Sequence, residues 1–264
     1  MNIVDKRIDA GKAFDWGKTS KDYAKYRDIY PEQFYRSITD RGLCVKGQNV
    51  LDVGTGTGVI PRNMYRYGAK WTGTDISAEQ IEQAVFLAQR EGITIDFKVC
   101  PAEQLDFPEK SFDVITACQC FWYFDHEIVM PLFSKLLKTD GTLLVLYMAW
   151  LPSEDLIAGE SEKLILKYNP DWTGAGERRH PNWIPEVAYD YFELIEHEEY
   201  DLNVPFTKET WHGRIKASRG IGASLSAEEL QKWDMEHRDL LDRIAPERFD
   251  VLHYAAITVM KKRL

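Results

Sequence analysis

Between Asn49 and Met148 the chain alternates short apolar runs with helix-spaced segments, four times in succession. Asn49–Val53, Lys70–Thr74, Thr94–Val99 and Phe112–Ala117 read as strands. Thr142–Met148 is almost free of polar residues, the pattern of a strand buried on both faces. After the first strand, Val59, Ile60, Met64 and Tyr67 are helix-spaced, and Gly68 is a natural residue to end that helix. Ser77-Ala78-Glu79-Gln80 reads as a capping box opening a helix that runs to about Arg90. A further helix spans Glu127–Leu137. Four β-then-α steps in a row predict a parallel sheet with helices on both faces. Such sheets bind ligands at the carboxyl ends of their strands, near the switch in strand order. That rule places the turn after Val53, Asp75, Ala102-Glu103, Gln119 and Trp150 along one rim.

The flanks complete the prediction. The fold class is α/β: a doubly wound, mostly parallel, seven-stranded, Rossmann-like sheet with an antiparallel last strand. Residues 1–45 form an N-terminal helical cover or lid, with helices near Asp22–Asp28 and Glu32–Arg41. Residues 46–150 form the core whose rim is the expected ligand-binding edge. Residues 151–190 hold Pro152, Pro170, Gly174, Gly176, Pro181 and Pro185 around one helix, about Glu154–Tyr168, and read as a cap insertion. Residues 191–264 supply a strand at Phe192–Leu202, a helix at Thr207–Arg219, a second capping-box helix from Ser226, and a last strand at Asp250–Met260. All four parts are read as one domain.

Composition narrows the partners. The 264 residues carry a net charge of −9, which argues against nonspecific binding to nucleic acid or to an anionic membrane. The one tight basic run, Lys261-Lys262-Arg263, reads as a solvated chain end. No apolar run reaches the roughly 18 residues of a membrane span, and Met1–Arg7 lacks the apolar core of a signal peptide. Cys44, Cys100, Cys118 and Cys120 show no paired framework and no histidine partner at metal spacing, so the expectation is a cytoplasmic protein without a metal site.

The turn after the first strand is Gly54-Thr55-Gly56-Thr57-Gly58. A dinucleotide fingerprint needs glycine where Val59 stands, and a P-loop needs Gly-Lys-Ser/Thr, which is absent. Asp52, two residues before the first glycine, suits a ligand with an ammonium group rather than a pyrophosphate.

These residues resemble the class I S-adenosylmethionine-dependent methyltransferases, in particular the type 11 small-molecule branch. The likeness rests on Leu51–Gly58, Asp75-Ile76-Ser77, Ala102-Glu103 with Leu105, Phe112-Asp113-Val114-Ile115 and Gly141–Leu144, in the family's order and spacing, and on Tyr23–Arg27 before Tyr30-Pro31. It covers residues 20–150 and fades beyond them. It implies that Gly54, Thr55 and Gly56 wrap the methionine part of S-adenosylmethionine, with Asp52 steadying the loop. It implies that Asp75 accepts from the ribose hydroxyls, that Ile76 packs on the adenine, and that Ala102 and Glu103 meet the adenine edge. Gln119 would lie near the methionine end, Arg27 would face the cofactor carboxylate, and Tyr23 would close over it.

The expected reaction is in-line methyl transfer to a small-molecule acceptor. The leaving group departs neutral, so positioning dominates and a base is needed only if the acceptor must lose a proton. His126, Tyr147 and His180 are the candidate bases. Relatives in this branch often carry a His-Trp pair after strand four; here Trp122 and Tyr123 stand at those places, so the resemblance carries no substrate class across. Trp122, Tyr123, Trp150, Trp172 and Trp183 are the candidate walls of an acceptor pocket. Trp172 and Trp183 equally suit a role anchoring the long insertion. Two other classes fit parts of the chain: a non-catalytic cofactor-binding or partner-binding module, and a nicotinamide oxidoreductase, which Val59 and Asp52 disfavour.

Overall fold

The computed structural model describes residues 3–263; the first two residues of the amino-terminal stretch read above lie outside them. The strands are β1 (Asn49–Val53), β2 (Lys70–Asp75), β3 (Asp96–Val99), β4 (Phe112–Cys118), β5 (Leu137–Trp150), β6 (Phe192–Thr207) and β7 (Arg248–Lys262). The helices are α1 (Ser20–Tyr26), α2 (Glu32–Thr39), α3 (Val59–Met64), α4 (Ala78–Glu91), α5 (His126–Leu136), α6 (Leu156–Tyr168), α7 (Ala188–Tyr191), α8 (Lys208–Lys216) and α9 (Ala227–Ile244). The strands form one seven-stranded sheet in the order β3-β2-β1-β4-β5-β7-β6. β1 is parallel to β2 and β4, and β3 and β5 extend the parallel set outward. The antiparallel strands close the far end, where the last strand in sequence sits inside β6 rather than at the edge. No helix among the described residues is long and apolar enough to cross a membrane.

The chain divides into two compact units, each assembled from separate stretches. The first gathers residues up to Ile29 with Ala149–Arg179 and Asp201–Tyr254; the second gathers Tyr30–Met148, His180–Tyr200 and the residues from Ala255 on.

In the second unit the helix signals behave as local chemistry dictates. Ser77 accepts from the Gln80 amide to start α4, and Gly92, at φ 69°, ends it. Asp125 caps α5. The core is apolar and continuous from Leu51 and Val53 through Ile115, Phe121, Phe133, Leu143 and Val145 to Met260. One expectation changes here. Asp140-Gly141 does not separate α5 from its strand; β5 already begins at Leu137, and a register shift between Phe112 and Val114 absorbs the turn as a bulge. Lys138 Nζ donates to both Asp113 oxygens at 2.9 and 2.7 Å, and Lys261 Nζ donates to Asp140 O at 2.9 Å. Lys262 Nζ reaches Leu137 O at 2.9 Å and Arg263 Nε reaches Phe192 O at 3.1 Å. The basic run read as a solvated end therefore ties backbone carbonyls together.

In the first unit, α6 and α9 start where their caps place them, on Asp155 and Ser226. α8 stops at Lys216, three residues before the predicted Arg219, because the chain folds back and Gly222 N donates to Lys216 O at 3.0 Å. A single file of hydrogen bonds ties α6, α8 and α9. Trp211 Nε1 donates to Ser161 Oγ (2.9 Å), Ser161 meets His237 Nε2 (3.0 Å), His237 Nδ1 meets His212 Nδ1 (2.9 Å), and His212 Nε2 meets Asp234 (2.8 Å). With both rings neutral and Asp234 accepting from His212 Nε2, His212 Nδ1 accepts from His237 Nδ1 and His237 Nε2 accepts from Ser161. Burial agrees: it pushes the His237 pKa down to about 3 and lowers that of His212.

Candidate functional site

β1 delivers Val53 to the sheet's carboxyl edge, where Gly54, Gly56 and Gly58 turn with φ of 67°, 55° and 72°. All three values lie in the left-handed region open to glycine. The loop is also closely packed. A Cβ on Gly54 would sit 2.6 Å from Cys120 Sγ, and one on Gly58 would sit 2.7 Å from Phe97 Cζ. The bare main chain of the loop thus lies between the end of β4 and the side chain of Phe97 on β3. Its register is set by Thr55 N, which donates to Thr74 O at 2.8 Å.

Asp52 supports the loop from below. Its carboxylate is buried and accepts from Thr55 Oγ1 and Thr116 Oγ1, each at 2.6 Å. Burial raises its pKa to about 6, against the lowering effect of those two hydroxyls and with a further push from Asp75. The folded chain therefore holds this proton more tightly than the unfolded chain does. The associated stability is complete below the unfolded value of 3.8 and is lost as pH rises through about 6. A shift of this size is worth roughly 3 kcal/mol. Asp52→Asn, which keeps the shape and drops the charge, is expected to flatten that part of the stability profile. Urea unfolding at pH 4.5 and pH 7 measures it; equal wild-type and variant slopes would refute the assignment.

Asp75 ends β2 beside the loop. One oxygen accepts from Gly56 N at 2.8 Å and the other from Ser77 N at 2.9 Å. Burial raises its pKa despite backbone bonds from Ser77, Gly56 and Ile76. Ile76 is half-buried next to it. Ala102 is buried in the short turn Ala102–Gln104 that follows β3. Glu103 Oε1 accepts from Asp125 N at 3.0 Å, which fixes the acid against the start of α5. Gln119 follows β4 with a φ of 68°, a strained value for a residue with a Cβ. It is held there by Gln119 N to Leu146 O at 3.0 Å and by its side-chain amide on Met148 O.

Three residues that sequence reasoning left out belong to this constellation. Thr116 completes the pair of hydroxyls on Asp52. Cys120 packs under Gly54 and donates to Val53 O at 3.0 Å. Tyr30 reaches Cys118 Sγ at 3.4 Å while stacking on Phe34. None has a local signal: each is defined by a partner at least 64 positions away. The four cysteines are free. Burial pushes the Cys44 and Cys120 thiols well up, which makes them poor nucleophiles. Among the described residues no group of three His, Cys, Asp or Glu side chains is placed to hold a metal.

The candidate bases and part of the aromatic set meet in the second unit. Trp122 and Tyr147 pack edge to face at 5.0 Å, and Tyr147 lies 5.9 Å from the His180 ring. Trp122 Nε1 donates to Trp183 O at 3.0 Å. His126 packs on Phe121 and Trp183 and bonds Phe121 O at 3.0 Å. Tyr123 closes the short turn before α5 and is half-buried. Asn182 pins this stretch: its Nδ2 donates to Val145 O, Ala256 O and Thr258 Oγ1 at 3.2, 3.3 and 3.2 Å. Trp183 remains 59% exposed, so it is not a buried anchor.

Trp150, Trp172, Tyr23 and Arg27 belong to the first unit. Trp172 is buried, tilted on Trp150 at 6.3 Å, with Gly174 and Gly220 pressed against its ring. That is the packing of a loop anchor. Trp150 donates to Glu162 Oε2 at 3.1 Å. Arg27 lies over the Tyr23 ring at 4.6 Å and donates to its hydroxyl at 3.2 Å.

The glycine loop, the acid at the end of the second strand and the sheet order 3-2-1-4-5-7-6 are those of a Rossmann-like methyltransferase fold. Residues 51–145 match the methyltransferase domain family of type 11. A Dictyostelium discoideum protein named as a methyltransferase is 25% identical over 195 residues, 74% of this chain and 67% of that one. A ubiquinone biosynthesis O-methyltransferase of Pelagibacter ubique is 32% identical over 133 residues, 48% of this chain and 55% of that one. The chain thus spans between half and two thirds of these relatives' length. A Haemonchus contortus phosphoethanolamine N-methyltransferase, solved with phosphomonomethylethanolamine and S-adenosylhomocysteine, shares the fold: TM-score 0.55, 20% identity, 93% of this chain and 58% of that one.

Proposed function

We propose that this chain binds S-adenosylmethionine at the Gly54–Gly58 loop and transfers its methyl group to a small-molecule acceptor held by aromatic side chains. The observation that carries the reading is the pairing of Asp75 with the Gly56 amide at the mouth of a glycine loop too tight for side chains. A carboxylate oxygen has more than one acceptor site, so Asp75 binds the loop and still accepts ribose hydroxyls. Backbone amides and carbonyls of the loop suit the amino-acid part of the cofactor. Ile76 supplies an apolar face for the adenine, and Ala102 and Glu103 its edge. Gln119 borders the methionine end. The cofactor supplies an electrophilic methyl on a sulfonium.

The work of the chain is then orientation and exclusion of water. Trp122, Tyr147 and Trp183 offer apolar faces to the acceptor, and His180, His126 or Tyr147 takes a proton where the acceptor must lose one. Four free cysteines support a reducing, cytoplasmic setting.

Calorimetry with S-adenosylhomocysteine and with NAD tests the first half; binding of NAD in preference to S-adenosylhomocysteine refutes it. Incubation with S-adenosylmethionine and a metabolite pool, read by mass spectrometry for the gain of one methyl, tests the second. Tight cofactor binding with no methylated product and no released S-adenosylhomocysteine would make the chain a sensing module instead.

A further inference from the structure

We propose that the outward seam of α6 and α9, in the first unit, is the face through which two copies of this chain pair about a two-fold axis. The inference goes beyond methyl transfer and does not rest on it. The inner sides of the two helices are already in use: Ser161 and His237 are buried and bonded to each other at 3.0 Å. The outer sides leave a cleft of about 420 Å³, floored by the half-buried Leu164 and Leu240. Leu156 lies on the same stripe of α6 and is 68% exposed.

The two helices run antiparallel. α6 leaves from Asp155, whose Oδ2 accepts from Leu252 N near the start of β7 at 3.0 Å, and α9 returns to β7 after Ile244. At the far end of the cleft Lys167 Nζ meets Glu236 at 2.6 Å. The helical repeat then sets Lys163 and Leu164 level with Asp239 and Leu240, and Glu160 level with Arg243. Read from that end, α6 carries plus, plus, minus, and α9 carries minus, minus, plus. Lys163 pairs along its own helix with Glu160 at 2.6 Å. Asp239 and Arg243 have no ion pair among the described residues.

A two-fold axis along the seam lays α6 of one copy over α9 of the other. Leu164 then packs on Leu240 of the second copy. Lys167 faces Glu236, Lys163 faces Asp239, and Glu160 faces Arg243, so every row joins opposite charges and the unpaired Asp239 and Arg243 gain partners. A two-fold contact needs a patch complementary to itself, which this alternation supplies. A uniformly basic or uniformly acidic partner would meet like charge in some row on either helix. Charged rows around a narrow apolar floor fit a reversible dimer rather than an obligate one.

Sedimentation equilibrium of the full chain, from about 2 to 200 μM, tests the proposal. The wild type is expected to rise from the mass of one chain to that of two across this range. Asp239→Lys sets lysine against Lys163 of the second copy, and Lys163→Asp sets acid against Asp239. Each is expected to raise the dimer dissociation constant about tenfold or more. The double variant restores an opposite pair and should return to within about threefold of wild type. Both positions are exposed, so a loss of folding is not expected, and circular dichroism checks it. A wild type that stays one chain at every concentration overturns the proposal and leaves the seam to another occupant. A dimer indifferent to both single variants, or a double variant as weak as the singles, overturns it too.

Discussion

Asp75→Asn is expected to lower affinity for S-adenosylhomocysteine about 100-fold while the chain stays folded. The carboxylate now accepts from Gly56 N and Ser77 N, one on each oxygen. Asparagine must turn an NH₂ group toward one of those two amides, so a donor meets a donor. The variant also loses charge-assisted acceptance of two ribose hydroxyls, each worth about 1.5–3 kcal/mol. Helix α4 is not at risk, because Ser77 caps it independently through Gln80 N. Calorimetry against S-adenosylhomocysteine, with a thermal melt as the control for folding, decides the matter. Should affinity stay within twofold, Asp75 is only a turn-forming acid and the cofactor loop must be sought elsewhere.

The second large effect is on stability. Gly54→Ala places a Cβ 2.6 Å from Cys120 Sγ and 2.8 Å from Cys120 Cβ at a φ of 67°. The left-handed backbone costs roughly 1–2 kcal/mol for a side-chain-bearing residue, and overpacking adds about 1–3 kcal/mol. At roughly 2–4 °C per kcal/mol for a chain of this size, Tm falls by about 10 °C. The two causes separate experimentally. Gly54→Ala combined with Cys120→Gly relieves the contact and not the dihedral, so part of the lost Tm returns. No recovery in the double variant would show that the contact with Cys120 contributes nothing.

Local chemistry made most of the second unit legible. The caps at Ser77 and Asp125, the stop at Gly92 and the glycine loop are each set by residues a few positions apart, and the elements they bound came out within a few residues of expectation. Boundaries failed where distant parts intervened. The turn at Asp140-Gly141 became a bulge because Lys261 and Lys262, more than 120 positions away, hold its carbonyls. α8 ended early because the chain turned back to Lys216 O, with Gly220 pressed on Trp172. β6 ran past its expected end at Leu202 to Thr207, through Pro205, since an edge strand tolerates a missing N–H.

The aromatic residues show the same division. By itself the sequence determined the alternating sheet, the loop and the acids at its rim, because strand and helix periodicity and glycine dihedrals are properties of neighbouring residues. It also offered Trp122, Trp150, Trp172 and Trp183 as one wall. Tertiary structure alone sorted them, giving Trp122 and Trp183 to the group pinned by Asn182, and Trp150 and Trp172 to the buried set around Glu162 and Arg214. Packing of this kind depends on which chain segments return to the same place, and no spacing along the chain encodes that.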